Sequence, residues 1–258
     1  MRIATWNLER PSARQIEKIK ALQKQMSLVE ADIWILTETN SCVSPGAEFK
    51  WQRSSTPITG PERYAEGENR TTIWSRLPIS DSIIETHDPE TAVCAEVEHS
   101  GKLILIYGTI IPYQHAGTKY PYRFEGENVV GRKCWDLHYE SIGNHSTDWQ
   151  RLRGRFPNHQ MVVAGDLNQN RGGRHVYGTK KGRDLLGLAL AEAQMTCATE
   201  GEIQSMEKCP LPPAIDHICL DHRLADRDTT VRGWLPGRPS RGKPFTDHSG
   251  VYVHIAPL

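Results

Sequence analysis

The sequence predicts an α/β fold built as one domain over residues 1–258, and three observations carry that prediction. Short apolar runs recur from one end to the other, in IATWNLER, IWILTETN, MVVAGDLNQN, AIDHICL and FTDHSGVYV, as buried strands require. Between them lie stretches whose apolar residues repeat at helical spacing. Each of the five runs also ends on, or abuts, a polar group: Asn7 and Glu9, Glu38, Asp166 and Asn168, Asp216, and Asp247 with His248. A chain of 258 residues can form one large core or two small domains. Polar groups spread this widely would have to meet, which favours one.

Residues 2–8 read as the first strand. Pro11 and Ser12 open a helix, with Ser12 as N-cap and Gln15 completing a capping box. Ile16, Ile19, Leu22, Met26 and Val29 form its apolar stripe. Residues 32–37 are nearly all apolar, so the second strand is expected to be buried on both faces and to deliver Glu38 at its end. Residues 41–69 are rich in Ser, Pro, Gly and charge, with a strand at 49–53 and a surface loop at 61–69. RTTIWSRLP, residues 70–78, is a strand ending in a turn, and 91–98 pairs with 102–111 as a hairpin about Ser100 and Gly101. PYQHAGTKYPYRFEGEN then interleaves four aromatics with His115, Lys119 and Arg123. Such a segment suits stacking on a base and contacting a phosphate, or else is an ordered surface loop whose tyrosines pack on the body.

Trp135, Tyr139, Ile142, Trp149, Leu152 and Phe156 describe an outer helix lying on a sheet. His138 and His145, two turns apart, cannot share a metal and are expected on its polar face. Residues 184–194 form a further helix, and 215–220, 229–235 and 251–255 are strands. The loop at 236–245 is basic, carrying Arg238, Arg241 and Lys243.

Lysine plus arginine equals aspartate plus glutamate at 31 each, which excludes a global basic field of the kind that draws proteins to nucleic acid. Any anion binding must be local. Six cysteines show no CxxC and no close pairing, so buried, reduced thiols are expected rather than a zinc knuckle or a disulfide framework. The first strand begins at residue 2 or 3, leaving no room for a signal peptide, so a cytoplasmic protein is expected. No apolar run approaches the roughly 18 to 20 residues that a membrane-spanning helix needs. No obligate protein partner is expected.

The central stretch is residues 161–170. A buried strand ends in Gly165 and presents Asp166 and Asn168 on alternate positions at the rim of a sheet. Alone, this is also the pattern of a strand-to-turn junction whose Asp and Asn bond their own backbone. The glycine-rich loop that follows carries Arg171, Arg174, Lys180 and Lys181, local positive charge of the kind an anionic substrate requires.

Taken in order, Asn7, Glu9, Glu38, the Gly-Asp-Leu-Asn at 165–168, Asp216 and Asp247-His248 resemble the exonuclease-endonuclease-phosphatase superfamily, and the resemblance runs from Ile3 to Val253. It implies a four-layer α/β/β/α sandwich of two packed mixed sheets with outer helices, and metal-dependent hydrolysis of phosphoesters. It implies Glu38 as the principal metal ligand, with Asn7, Glu9 and Asp247 nearby. Asp166 is implied as the residue that orients or deprotonates the attacking water, and Asn168 as a hydrogen-bond partner of the phosphate or of the water. Asp216 and His248 form the implied dyad, and Asn7 joins the catalytic set. Carboxylate and carboxamide oxygens are hard ligands, so magnesium is the expected ion, with manganese able to replace it.

The chain departs from two branches of that superfamily. Ile110 stands where the abasic-site endonucleases carry a tyrosine, and Thr109 where the DNase-like enzymes carry a histidine. Tyr107, Thr109 or Tyr113 is expected to replace the missing donor, and with Arg174, Lys180 and Lys181 to contact substrate. No aromatic abasic-site pocket is visible in SMEKCPLPPAID, and Ile215-Asp216-His217 replaces the Cys-Asp-Arg of the inositol-polyphosphate phosphatases. The expected activity is hydrolysis of a phosphodiester, with nucleic acid as the substrate. The alternatives are a small-molecule or lipid-headgroup phosphoesterase, which the neutral net charge favours, and a non-catalytic binding module.

Overall fold

The computed structural model describes residues 1–57, 65–118, 131–173, 176–207, 209–239 and 242–256. In chain order the strands and helices begin β1 (Arg2–Asn7), α1 (Ile16–Val29), β2 (Ile33–Asn40), β3 (Trp51–Ser54) and β4 (Glu68–Ser75). The hairpin follows as β5 (Ala92–His99) and β6 (Lys102–Ile110), then α2 (Asp136–Arg155) and β7 (Gln160–Asp166). The rest is α3 (Lys180–Glu192), β8 (Met195–Cys197), β9 (Gln204–Ser205), β10 (Asp216–Asp221), α4 (His222–Ala225), β11 (Thr229–Trp234) and β12 (Gly250–Ile255).

Two mixed sheets result. One has the order β3-β4-β2-β1-β12-β11-β9 and the other β5-β6-β7-β10-β8. β1 runs parallel to β2 and antiparallel to β12, while β7 runs parallel to β6 and antiparallel to β10. Strand alternation sorts the apolar residues into three layers of packing. Ile3, Ile33, Ile35 and Val253 of the first sheet face Ile104, Ile106, Val162 and Ile218 of the second. Behind the first sheet, Leu22, Met26 and Val29 of α1 pack on Trp6, Trp34 and Leu36. Behind the second, α2 and α3 place Ile142, Trp149, Leu186 and Leu190 on Leu105, Tyr107 and Val163. This is the α/β/β/α sandwich the sequence predicts.

Several elements differ from expectation. α1 starts at Ile16 rather than after Ser12: half of the capping box forms, with Ser12 N–H donating to Gln15 Oε1 at 3.0 Å, but Gln15 makes no side-chain cap of its own helix. Ile16 is 61% exposed and lies outside the core. Residues 68 and 69 belong to β4 and not to a surface loop. His138 and His145 are buried instead of lining a polar face, because each finds partners inside: His138 Nδ1 lies 2.8 Å from the carbonyl oxygen of Pro112, and His145 meets the Tyr107 hydroxyl at 3.0 Å. Cys94, Cys197 and Cys219 are buried and all six cysteines are free, but Cys134 is exposed. Lys119 and Arg123 lie outside the described residues. Among the described residues, no helix is long and apolar enough to cross a membrane.

Candidate active site

The strands deliver their polar ends by parity. Ile3, Thr5 and Asn7 share one face of β1, so the face that buries Ile3 between the sheets brings Asn7 to the same gap at its rim. The same parity carries Asp166 from Val162 and Ala164, and Asp216 from Ile218 and Leu220. Asp166 and Asp216 stand directly opposite each other in the β7–β10 ladder. Asn7 Nδ2 donates to Asp166 Oδ2 at 3.0 Å, across the two sheets. His248, from the loop before β12, presents Nδ1 2.6 Å from Asp216 Oδ2 and ties the sheets a second time.

Glu38 obeys a different rule. Its position in β2 shares the parity of Trp34 and Leu36, which face α1, and an ordinary strand would turn its carboxylate away from the gap. Its φ of 44° breaks the alternation, and the β2–β4 register passes from Thr37↔Thr71 to Thr39↔Asn69 without pairing it. Glu9 and Arg10 (φ 51° and 46°) and Asn168 (φ 49°) are left-handed too, so four of the eight non-glycine residues with positive φ among the described residues surround this one place. Such backbone costs of order 1 kcal/mol or more per residue and persists where surrounding bonds enforce it. Here Arg10 N–H donates to the Glu38 carbonyl at 2.8 Å, and Lys18 Nζ donates to the Glu9 carbonyl at 2.9 Å. Gly165 is required for a different reason: at φ 140°, a Cβ would lie 1.8 Å from the Thr109 carbonyl oxygen.

Together Asn7, Glu9, Glu38, Tyr113, Asp166, Asn168, Tyr177, Ile215, Asp247 and His248 line a cleft of about 340 Å³. Asp166 accepts from the backbone N–H of Asn168 at 2.9 Å, from Asn168 Nδ2 at 3.1 Å and from Asn7. Burial nevertheless pushes its carboxyl up to about 7, with Asp216 adding to the rise and His248 and the amide donors opposing it. Burial works against a charged His248, but Asp216 and Asp166 more than offset it and hold the imidazole protonated up to about 10. Nδ1–H faces Asp216, so Nε2–H opens into the cleft, 4.0 Å from Asp166 Oδ2 and 3.6 Å from Asp247 Oδ1. The loop is held by Trp6 Nε1–H, which donates to the His248 carbonyl at 2.9 Å, and by the Thr246 hydroxyl, which donates to the Asn7 carbonyl at 2.9 Å.

The donor set suits a hard cation. Glu9, Glu38 and Asp247 open on one cleft, and none of the three carboxylates accepts a hydrogen bond among the described residues; Arg10 approaches Glu38 only to 3.6 Å. Asp166, Asp216 and His248 also bring one ligand atom each within 4.8 Å of one another, and Asp216 Oδ1 is buried without a hydrogen-bond partner among the described residues. His248 is already committed to Asp216, however, so this trio is better described as an acid–imidazole relay than as a metal cage.

Other expected contacts fall elsewhere. Tyr107 and Thr109 share the outward parity of Leu105, are fully buried, and bond to α2: the Tyr107 hydroxyl donates to Asp148 Oδ2 at 2.9 Å and Thr109 Oγ1 lies 3.1 Å from His145 Nε2. Both therefore face α2 and not the cleft, unlike the expectation that either supplies the missing donor. Tyr113 does line the cleft, half exposed. Lys180 pairs with Asp184 at 2.6 Å and Lys181 lies over the Tyr139 ring, both outside the cleft wall. Arg174 lies outside the described residues. Tyr177 and Ile215 are lining residues that sequence reasoning missed; Tyr177 stands in the glycine-rich loop, where only the charges attract notice. Outside the cleft lining, Glu68 in β4 has its carboxyl raised chiefly by burial and lies 3.8 Å from Arg10.

Residues 4–248 match the Endonuclease/Exonuclease/phosphatase family, and the chain belongs to it. It is thus a phosphoesterase of a superfamily whose members depend on metal. Its fold is similar to that of the 3'-5' exonuclease NExo from Neisseria meningitidis (TM-score 0.64, 16% identity, 99% of each chain covered). It is similar as well to an AP endonuclease from Archaeoglobus fulgidus (0.61, 16%, 99% of each chain) and to a Staphylococcus aureus beta toxin variant with bound magnesium ions (0.53, 14%, 99% of each chain). No curated protein sequence matches the chain.

Proposed function

We propose that this protein is a magnesium-dependent phosphodiesterase acting on nucleic acid, with residues 1–258 as one domain. The observation that carries the reading is the joining of Asp166, Asn7, Asp216 and His248 across the two sheets, beside the carboxylates of Glu9, Glu38 and Asp247, which accept no hydrogen bond among the described residues. Asp166, held by Asn7 and Asn168, orients water and takes its proton, and a carboxyl near 7 suits a base at neutral pH. His248, kept charged by Asp216, donates Nε2–H to a phosphate oxygen as charge grows there. Glu38, with Asn7, Glu9 and Asp247, would hold the ion, which supplies neutralisation of the phosphate and of the departing oxygen. Oxygen-only donors support magnesium, with manganese as a substitute. Tyr113 flanks the phosphate; Lys180, Lys181 and Arg174 would reach only a long substrate, beyond the cleft wall.

The equal totals of acidic and basic residues favour a second reading, a small-molecule or lipid-headgroup phosphoesterase. A panel of abasic duplex, single-stranded DNA, RNA, inositol phosphates and a chromogenic diester, assayed with magnesium and with manganese, decides between them. Turnover of a nucleic acid above the inositol phosphates is expected, the reverse order selects the second reading, and no turnover at all leaves the scaffold as a binding module.

A further inference from the structure

A second and larger groove, about 740 Å³, adjoins the catalytic cleft and shares Glu9 and Asp247 with it. It lies between the start of α1 and the loop before β12. Past the two shared carboxylates its walls carry Arg14, Lys18 and Lys243 against one acid, Glu17. Lys18 is spoken for by the Glu9 carbonyl, but Arg14 and Lys243 are exposed and pair with no carboxylate among the described residues. Two apolar groups stand beside these cations. Ile16, 61% exposed, is an apolar residue at the first position of a helix whose Leu22, Met26 and Val29 turn inward while Leu28, farther along, is also exposed. Phe245 is half-buried, and its backbone N–H donates to the Gly237 carbonyl at 2.9 Å, which fixes the ring's origin.

We propose that this groove is a second binding site, which takes the stretch of a nucleic-acid strand on one side of the scissile phosphate: its phosphates on Arg14 and Lys243, its base against Phe245 and Ile16. The proposal rests on the phosphodiesterase reading and deepens it. Sequence-tolerant strand binding combines cations that follow the backbone with rings that accept bases, and the groove supplies both. The cleft's opposite flank is formed by Tyr113, Tyr177 and Ile215. A diester within a strand carries a substituent toward each flank, whereas a terminal monoester would use only one of them.

The test compares the wild-type protein with the Arg14→Ala/Lys243→Ala double variant and with Phe245→Ala. Lys20→Ala, on the same helix but outside the groove, is the control. The probes are a fluorescein-labelled oligothymidylate and the chromogenic diester bis(p-nitrophenyl) phosphate, both with magnesium. For the double variant, KM on the oligonucleotide should rise about tenfold more than on the small diester. The salt dependence of oligonucleotide binding should flatten by roughly 1 to 2 in log–log slope, as loss of two phosphate contacts on a single strand requires. Phe245→Ala should weaken oligonucleotide binding several-fold with the salt slope unchanged, and Lys20→Ala should behave as wild type. Equal losses on both probes, or no loss on the oligonucleotide, overturns the proposal. If the wild-type protein cleaves neither probe, the phosphodiesterase reading fails on its own. Fluorescence anisotropy of the labelled oligonucleotide then still decides the groove: affinity lost in the double variant supports it, and unchanged affinity overturns it.

Discussion

Asn7 Nδ2 donates to Asp166 Oδ2 at 3.0 Å, joining residues 159 positions apart and the rims of two different sheets. The bond aims the carboxylate as well as closing the sandwich. Asn7→Ala should therefore lower turnover by about a hundredfold, in the range expected when an oriented acid–base group is set loose, and should lower unfolding stability by only about 1 kcal/mol. Steady-state kinetics and urea unfolding of the same preparation check the two effects; a stability loss as severe as the activity loss would make Asn7 merely structural.

Asp166 costs the fold something. Its carboxyl stands near 7 in the folded protein against an ordinary 3.8, so from about pH 4 to pH 7 the unfolded chain ionises and the folded one does not. That difference favours unfolding, increasingly up to about pH 7 and constantly above it. Asp166→Asn should raise the Tm by a few degrees at about pH 8 and by little near pH 4, while turnover falls by orders of magnitude that added magnesium does not restore. Recovery of activity with magnesium would instead make Asp166 a metal ligand.

His248 has the opposite sign. Its folded pKa, about 10, lies above the ordinary 6.5, so its contribution is fully present below about pH 6.5 and is lost as pH rises toward 10. Asp216→Asn removes the carboxylate that sustains this shift. The Tm gap between wild type and Asp216→Asn should be widest near pH 6 and narrow toward pH 10 in a series of thermal melts. A gap that widens with pH would mean that His248 is neutral in the folded protein.

Glu38 separates metal binding from chemistry. Glu38→Gln should weaken the ion's affinity, and part of its lost activity should return at high magnesium, because mass action offsets a weakened ligand. Isothermal titration with magnesium gives a readout independent of turnover. Unchanged affinity in Glu38→Gln would remove Glu38 from the ion's ligands.

Lys180 and Lys181 lie beyond the cleft wall, so the double alanine variant should raise KM and flatten salt dependence only on a long polyanion, and should leave a short one as it was. Kinetics on oligonucleotides of graded length tests this; equal losses at every length would argue against gripping by that loop.

The sequence by itself determined the alternation of strands and helices, the order of the polar strand ends, and the hardness of the oxygen donors. Apolar runs, Gly165 and the carboxylates beside them are local facts and needed no tertiary information. Direction was not legible. β6 is apolar on both faces, so nothing in LILIYGTI says whether Tyr107 and Thr109 or Gly108 and Ile110 face the first sheet; packing against α2 decided it. Glu38 reads from its strand parity as facing α1, and only the left-handed turn there, enforced by contacts with residues 8–10, swings it to the cleft. His138 and His145 look like polar-face residues until Pro112 and Tyr107 are brought against them. Tyr177 lines the cleft because Asn170 Oδ1 accepts from the backbone N–H groups of Val176 and Tyr177, and the groove exists because Pro239, Lys243, Pro244 and Phe245 lie against the start of a helix that begins at residue 16. Patterns along a chain record which residues will be buried or polar; which of them meet is set by the packing of the two sheets, and that is a property of the whole fold.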